Sequence, residues 1–121
     1  MKLENQVCSL ELAQKLKSLG VKQESLFQHN LLEKEDVYRI TYGNPRTNTF
    51  GRKFIDTVSA FTVAELGEML PKGCFTTKTE SEEFPWRCEY KGGYGITASG
   101  ADTEADARAK MLCYLLENKL I

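Results

Sequence analysis

The sequence predicts an α+β fold in which an antiparallel sheet of three to four strands packs against two or three helices. Three segments repeat apolar residues at helical spacing behind capping residues, and a run near position 85 alternates in the manner of a strand. The length of 121 residues suits a single domain, which we place at residues 1–121. After residue 60 the expected order is helix, strand, strand, strand, helix.

The first predicted helix extends over Leu10–Leu19, where apolar residues recur at helical spacing. Ser9 is placed to cap this helix and Gly20 is placed to end it. A short second helix is expected over Gln23–His29. The segment Asp36–Tyr42 alternates bulky and polar side chains and is therefore predicted to be a strand.

A capping box predicts the next helix. In Thr62-Val-Ala-Glu65 the threonine hydroxyl can accept from an early backbone N–H while Glu65 reaches back to the cap. The helix should end near Leu70, because Pro71 follows it. Gly67 lowers its intrinsic stability by about 1 kcal/mol relative to alanine, so packing must hold the helix in place.

A meander of three strands is expected over Cys74–Thr79, Phe84–Lys91 and Tyr94–Ala98, with Gly92-Gly93 as the last hairpin turn. Pro85 lacks a backbone donor, which suits an edge or a strand start. Alternation directs one set of side chains toward the core, namely Phe84, Trp86, Cys88 and Tyr90. The opposite face receives Arg87, Glu89 and Lys91.

The last helix is predicted to follow Thr103, a capping residue, with Asp106 at the capping-box position and Glu104 beside the positive helix end. Its buried stripe is expected to comprise Ala105, Ala109, Leu112, Cys113 and Leu116, broadened by Met111 and Leu115.

The composition argues against several classes of protein. Hydrophobic residues make up 41% of the chain, enough to offset the entropy of ordering it, so disorder is not expected. Sixteen basic and seventeen acidic residues give a formal net charge of −1, which provides no overall attraction for nucleic acid or anionic lipid. Neither a membrane-spanning run nor an apolar signal core is present, so we expect a cytoplasmic protein without a membrane partner.

The four cysteines do not suggest a metal site. Cys8, Cys74, Cys88 and Cys113 are far apart and form no CxxC pair, whereas a structural zinc site usually takes a ligand pair from a tight turn. The lone His29 has no cysteine or carboxylate at ligand spacing. We expect four free, mostly buried thiols, no metal and no cofactor.

No pattern points to catalysis. The chain has one histidine and lacks the spacings G-x-S-x-G, H-E-x-x-H and that of a phosphate-binding loop. Gly92-Gly93-Tyr94-Gly95 is rich in glycine but lies between predicted strands, where a hairpin turn explains it. Glu80-Ser-Glu-Glu83 is typical of a solvated loop. We therefore expect a protein that is not an enzyme.

Two groups of basic residues are candidate binding sites. The stretch Gly43–Lys53 is rich in turn residues, lacks apolar periodicity and is the kind of loop where binding residues concentrate. The outer sheet face carries mixed charge, which suits a protein partner better than a nucleic acid. The candidate residues are Arg46, Arg52 and Lys53 in the loop, and Arg87 and Lys91 on the sheet.

Three segments carry a family resemblance: VCSLELAQKLKSLGVKQESLF (Val7–Phe27), VSAFTVAELGEMLPK (Val58–Lys72) and TEADARAKMLCYLLENKLI (Thr103–Ile121). They cover roughly half the chain and resemble a family of small, uncharacterised proteins encoded by bacteriophages and prophages. The resemblance implies a bacterial cytoplasm and an accessory role, and it supplies no activity. We expect a non-enzymatic accessory protein that binds a host or phage protein.

Other resemblances suggest an alternative, a nucleic-acid-binding module. Leu12-Ala13, Leu19-Gly20-Val21 and Ser25-Leu26-Phe27 resemble a helix-turn-helix, although its first helix is about three residues too long. The element order of the C-terminal half resembles a double-stranded-RNA-binding domain, and its end resembles antitoxin domains of the HicB type. Three acids precede Arg108, where the RNA-binding domain carries lysines, and they would repel phosphate.

Trp86, Tyr90 and Tyr94 could stack on bases, but packing against the helices is the favoured interpretation.

Overall fold

Four helices and six strands form the described part of the chain, residues 2–43, 54–92 and 95–121 of a computed structural model. The helices are α1 (Leu3–Gln6), α2 (Leu10–Ser18), α3 (Val63–Met69) and α4 (Glu104–Glu117). The strands are β1 (Phe27–Leu32), β2 (Arg39–Tyr42), β3 (Phe54–Ser59), β4 (Cys74–Lys78), β5 (Trp86–Gly92) and β6 (Gly95–Ala101). The α+β class is confirmed, as is the order helix, three strands, helix after residue 60.

The strands form two antiparallel sheets of three strands, where the sequence predicted one sheet of three to four. β1 lies between β2 and β3 in the first sheet, and β5 lies between β4 and β6 in the second. His29 of β1 is opposite Ile40 of β2 and Val58 of β3. Cys88 of β5 is opposite Thr76 of β4. Both β3 and the short helix α1 are elements that the sequence patterns did not reveal.

Two of the three predicted caps are confirmed, those at Thr62 and Thr103, whereas the side chain of Ser9 makes no cap hydrogen bond to α2. Thr62 Oγ1 accepts from the backbone N–H of Glu65 at 3.2 Å, and Glu65 Oε1 accepts from the N–H of Thr62 at 2.9 Å, which completes the capping box. Thr103 Oγ1 accepts from the N–H of Asp106 at 3.1 Å. The Asp106 carboxylate instead accepts from the N–H of Ser9 at 2.7 Å, so it connects α4 to the start of α2.

The helix predicted over Gln23–His29 is wrong, because β1 begins at Phe27 and no helix precedes it after α2. Gln23 Oε1 accepts from the backbone N–H of Ser59 at 2.9 Å, so this segment is bonded to the end of β3. The second helix of the helix-turn-helix resemblance is therefore absent from the segment that should form it. The predicted strand at Asp36–Tyr42 is confirmed in its second half, as β2.

Helix α4 contributes to both apolar clusters of the core. One cluster joins it to α2, α3 and β3, and the other joins it to the second sheet. Its buried residues are Ala105, Ala107, Ala109, Met111, Leu112, Cys113 and Leu115. The predicted stripe is confirmed except for Leu116, which is only partly buried. Alanines recur along the helix, and their small side chains allow backbones to approach closely.

Candidate functional site

In the described part of the chain, no helix covers one face of the second sheet. Helix α4 packs against the other face, where Cys88 is buried and Trp86 and Tyr90 are partly buried, as the alternation predicted. Opposed residues in antiparallel strands share a face. The register therefore places one set of side chains away from α4. This set, which we call the open sheet face, comprises Phe75, Thr77, Arg87, Glu89, Lys91, Ala98 and Gly100.

The predicted position of Phe84 is wrong: its side chain lies against the open sheet face and not in the core. A Cβ on Gly100 would lie 2.9 Å from the Cβ of Phe84, so the absence of a side chain at Gly100 makes room for it. Phe84 precedes the first residue of β5 and is held by a turn, since its N–H donates to Ser81 Oγ at 3.2 Å. Strand alternation does not extend to a residue outside the strand.

The charged residues of the open sheet face pair with each other and with its aromatic rings. Arg87 Nε lies 2.9 Å from Glu89 Oε1, and Lys91 Nζ lies 5.7 Å from the centre of the Phe75 ring. Lys110 Nζ, from α4, donates to the Gly100 carbonyl at 2.9 Å and lies 5.6 Å from the centre of the Phe84 ring. The face therefore presents aromatic and charged groups of both signs together.

Of the five predicted site residues, the structure brings two together. Arg87 and Lys91 are both exposed on the open sheet face, on the same strand. A shallow groove of about 460 Å³ beside Phe84 is also lined by Arg87 and by Ala98. Arg46, Arg52 and Lys53 lie outside the described residues.

Cys8, His29 and Asp106 lie close together in the core, although 98 positions separate the first from the last. His29 Nε2 lies 2.9 Å from the carbonyl oxygen of Cys8 and bonds to it. Burial raises the pKa of the Cys8 thiol to about 12 and lowers the pKa of His29. The imidazole thus bonds to the backbone, and the thiol stays protonated, so this cluster connects β1 to the start of α2 and is no activated nucleophile.

The other thiols are also free and held in the protonated form. Burial raises the pKa of Cys88 to about 12 and that of Cys113 to about 11, and it raises the pKa of the partly exposed Cys74. In the described ranges, no three side chains of the metal-binding types are grouped so as to hold an ion. Within the same residues, no helix has both the length and the apolar character needed to cross a membrane.

Arg108 of α4 is the centre of a polar cluster between α3 and β4. Its Nη1 donates to the Val63 carbonyl at 2.9 Å, and its Nη2 donates to Thr76 Oγ1 at 3.3 Å and to Glu104 Oε1 at 3.4 Å. Thr76 Oγ1 donates in turn to Glu104 Oε1 at 2.6 Å. No sequence pattern indicated this cluster, because its members come from three elements.

A second groove, of about 290 Å³, lies at the start of β5, and we call it the Trp86 groove. Its lining residues are Asn5, Val63, Trp86, Asp102, Thr103 and Glu104. Trp86 is opposite Ala101, the last residue of β6, so the chain leads directly from the sheet into Asp102 and the cap of α4. Sequence patterns assigned Trp86 to the core and gave no reason to associate it with Asp102.

In comparisons with protein-family models, curated proteins and solved structures, nothing matched the chain.

Proposed function

We propose that this chain is a non-enzymatic accessory protein of a bacteriophage or prophage, and that it binds a protein partner through the open sheet face. One observation carries the proposal. Phe75 and Phe84 remain 40% and 45% exposed beside Arg87 and Lys91, on a face that no helix covers in the described ranges.

This combination of side chains favours a protein as the partner. Aromatic residues and arginine are enriched in protein–protein interfaces, and they provide much of the binding free energy where they become buried. The salt bridge between Arg87 and Glu89 makes the centre of the face mixed in charge. A phosphate backbone would instead require cations without competing carboxylates.

The phage origin is supported by the three resembling segments. They contain all the residues of α2, α3 and α4, the helices that pack together in the larger apolar cluster. The open sheet face lies on β4, β5 and β6, between the second and third segments. We propose that the helices form a scaffold shared with the phage and prophage proteins that the segments resemble. The strands β4, β5 and β6 would then determine which partner binds.

The alternative is a double-stranded-RNA-binding function. The order of elements agrees with that of such domains, but the charge at the start of the last helix does not. Helix, three strands and helix follow one another after residue 60. The first turn of α4, however, contains Glu104 and Asp106, and Asp102 precedes its cap. Carboxylates in this position would repel the phosphates that such a helix contacts.

The experiment is capture of a partner from bacterial lysate with the tagged chain and with the double variant Arg87→Gln, Lys91→Gln. We expect the wild-type chain to retain one protein in stoichiometric amount and the variant to retain about tenfold less, as expected for loss of two interface side chains. The matched control is Lys22→Gln with Lys119→Gln, which removes the same charge at two exposed positions elsewhere.

Two results would contradict the proposal. The first is equal capture by the double variant and the wild type. The second is binding of an oligonucleotide whose affinity falls steeply between low and physiological salt, in place of a captured protein, since that dependence reveals phosphate contacts.

A further inference from the structure

The Trp86 groove combines an aromatic wall with an unpaired carboxylate. Trp86 is only partly buried, and Asp102 is exposed at the point where β6 leads into α4. Asp102 makes no hydrogen bond or ion pair with any residue that the structure describes. Asn5 of α1 and Val63 of α3 complete the walls, so four different elements form one concave surface.

The polar side chains of Glu104 and Thr103 in the groove are already engaged. Glu104 Oε1 accepts from Thr76 Oγ1 at 2.6 Å and from Arg108 Nη2 at 3.4 Å, so the Arg108 guanidinium balances its charge. Thr103 Oγ1 accepts from the N–H of Asp106 at 3.1 Å. Asp102 is thus the one lining carboxylate without an ion-pair partner among the described residues, and no lining side chain carries a positive charge.

A cation that enters this groove meets two favourable partners. The face of an indole ring attracts cations more strongly than any other aromatic side chain, and a carboxylate forms charge-assisted hydrogen bonds with them. An anion would meet the Asp102 carboxylate and no donor of positive charge. The volume of about 290 Å³ is at the lower limit for small-molecule pockets, which suits a single side chain.

We propose that the Trp86 groove binds an arginine side chain of a protein partner. Arginine fits better than lysine, because its planar guanidinium stacks on an indole while its donors bond a carboxylate in parallel. The inference goes beyond the open sheet face, since Trp86 belongs to the opposite face of the same sheet. The two proposed binding sites can therefore be tested independently of each other.

The single tryptophan of the chain makes the test direct, because fluorescence and the indole N–H resonance both report on Trp86 alone. The probe is the blocked peptide acetyl-Gly-Arg-Gly-amide, and the matched control is the same peptide with citrulline, which is neutral and nearly isosteric. We expect a saturable change at millimolar concentrations of the arginine peptide and a much smaller one with citrulline.

Asp102→Asn removes the proposed carboxylate without touching the Arg108 cluster. We expect it to weaken binding of the arginine peptide about threefold, the size of a partly exposed ion pair. Glu24→Gln removes one exposed carboxylate elsewhere and should leave binding unchanged. Arg87→Gln with Lys91→Gln should also leave it unchanged, which separates this site from the open sheet face.

Several outcomes would overturn the inference. They are equal binding of the citrulline peptide, unaltered binding to Asp102→Asn, and the absence of any saturable change in the Trp86 signals. A response of Trp86 to a single-stranded oligonucleotide but not to the arginine peptide would overturn it in favour of base stacking.

Discussion

His29 shows how a single buried side chain can make the fold sensitive to pH. It lies in the central strand of the first sheet, is 6% exposed, and bonds to the carbonyl of Cys8. Burial lowers the pKa of His29, and it outweighs the opposing effects of the Cys8 carbonyl and the Asp106 carboxylate. The folded state therefore favours the neutral imidazole.

We expect the free energy of unfolding to decrease as the pH falls below about 6.5, the pKa of histidine in unfolded chains. In that range the unfolded state binds a proton that the folded state does not, at a cost of at most about 1.4 kcal/mol per pH unit. His29→Gln keeps an amide donor for Cys8 and cannot titrate, so its stability should vary less. Urea denaturation between about pH 7.5 and 5.5 measures both proteins.

Asp106 has the opposite effect on the pH dependence of stability. Burial raises its pKa above the usual value, so its contribution to stability is present in acid and is lost as the pH rises through its folded pKa. Both the wild type and His29→Gln contain Asp106, so the difference between their pH profiles isolates the histidine. A pH profile of His29→Gln identical to that of the wild type would contradict the assignment.

Among the elements, the seven-residue helix α3 contains Gly67, and the space beside this glycine is occupied by a side chain of α4. A Cβ on Gly67 would collide with Nη1 of Arg108, the atom that donates to the Val63 carbonyl. The sequence alone identifies Gly67 as a weak point of the helix. The structure shows that Gly67 leaves space for the guanidinium that connects α3 to α4.

We expect Gly67→Ala to destabilise the fold by about 1 kcal/mol, because displacing the guanidinium costs more than the gain in helix propensity. In an Arg108→Met background, the same change should stabilise the fold by up to about 1 kcal/mol, since only the higher helix propensity of alanine then acts. Urea denaturation of the four proteins gives the coupling free energy. Equal effects of Gly67→Ala in both backgrounds would show that Arg108 is not the reason for the glycine.

At the scale of the whole molecule, α4 joins the two halves of the core. Ala105, Ala109 and Leu112 pack in the cluster with α2 and α3, while Met111 and Leu115 pack in the cluster with the second sheet. Neither cluster can lose α4 without exposing apolar surface in the other. This shared helix predicts that both sheets unfold together.

We expect one unfolding transition in urea, with coincident curves from Trp86 fluorescence, which reports on the second sheet, and from far-ultraviolet circular dichroism. Leu16→Ala in α2 is remote from Trp86 in the core arrangement, yet it should shift both curves equally, with a loss of about 2–4 kcal/mol. A Trp86 transition that keeps its midpoint in this variant would instead mean that the halves fold as separate units.

Local chemistry made much of this fold predictable. The capping box of Thr62 and Glu65 and the cap at Thr103 are interactions between residues three apart, so they can be read from a short window. Alternation placed Arg87 and Lys91 on the outer face of β5 for the same reason, because the side-chain period of a strand is local. Such local patterns were sufficient to predict the fold class, the order of the C-terminal elements and one candidate surface.

Long-range contacts decided the rest. Gln23–His29 is not helical because Gln23 bonds to Ser59 and His29 to Cys8, partners that no short window contains. Phe84 lies on the opposite face from the one predicted, because Gly100 has no side chain there to exclude its ring. Trp86 and Asp102 line the same groove because β5 pairs with β6, which places Trp86 opposite Ala101. Tertiary structure determined these features because contacts between residues distant in the sequence override the local conformational preference of a segment.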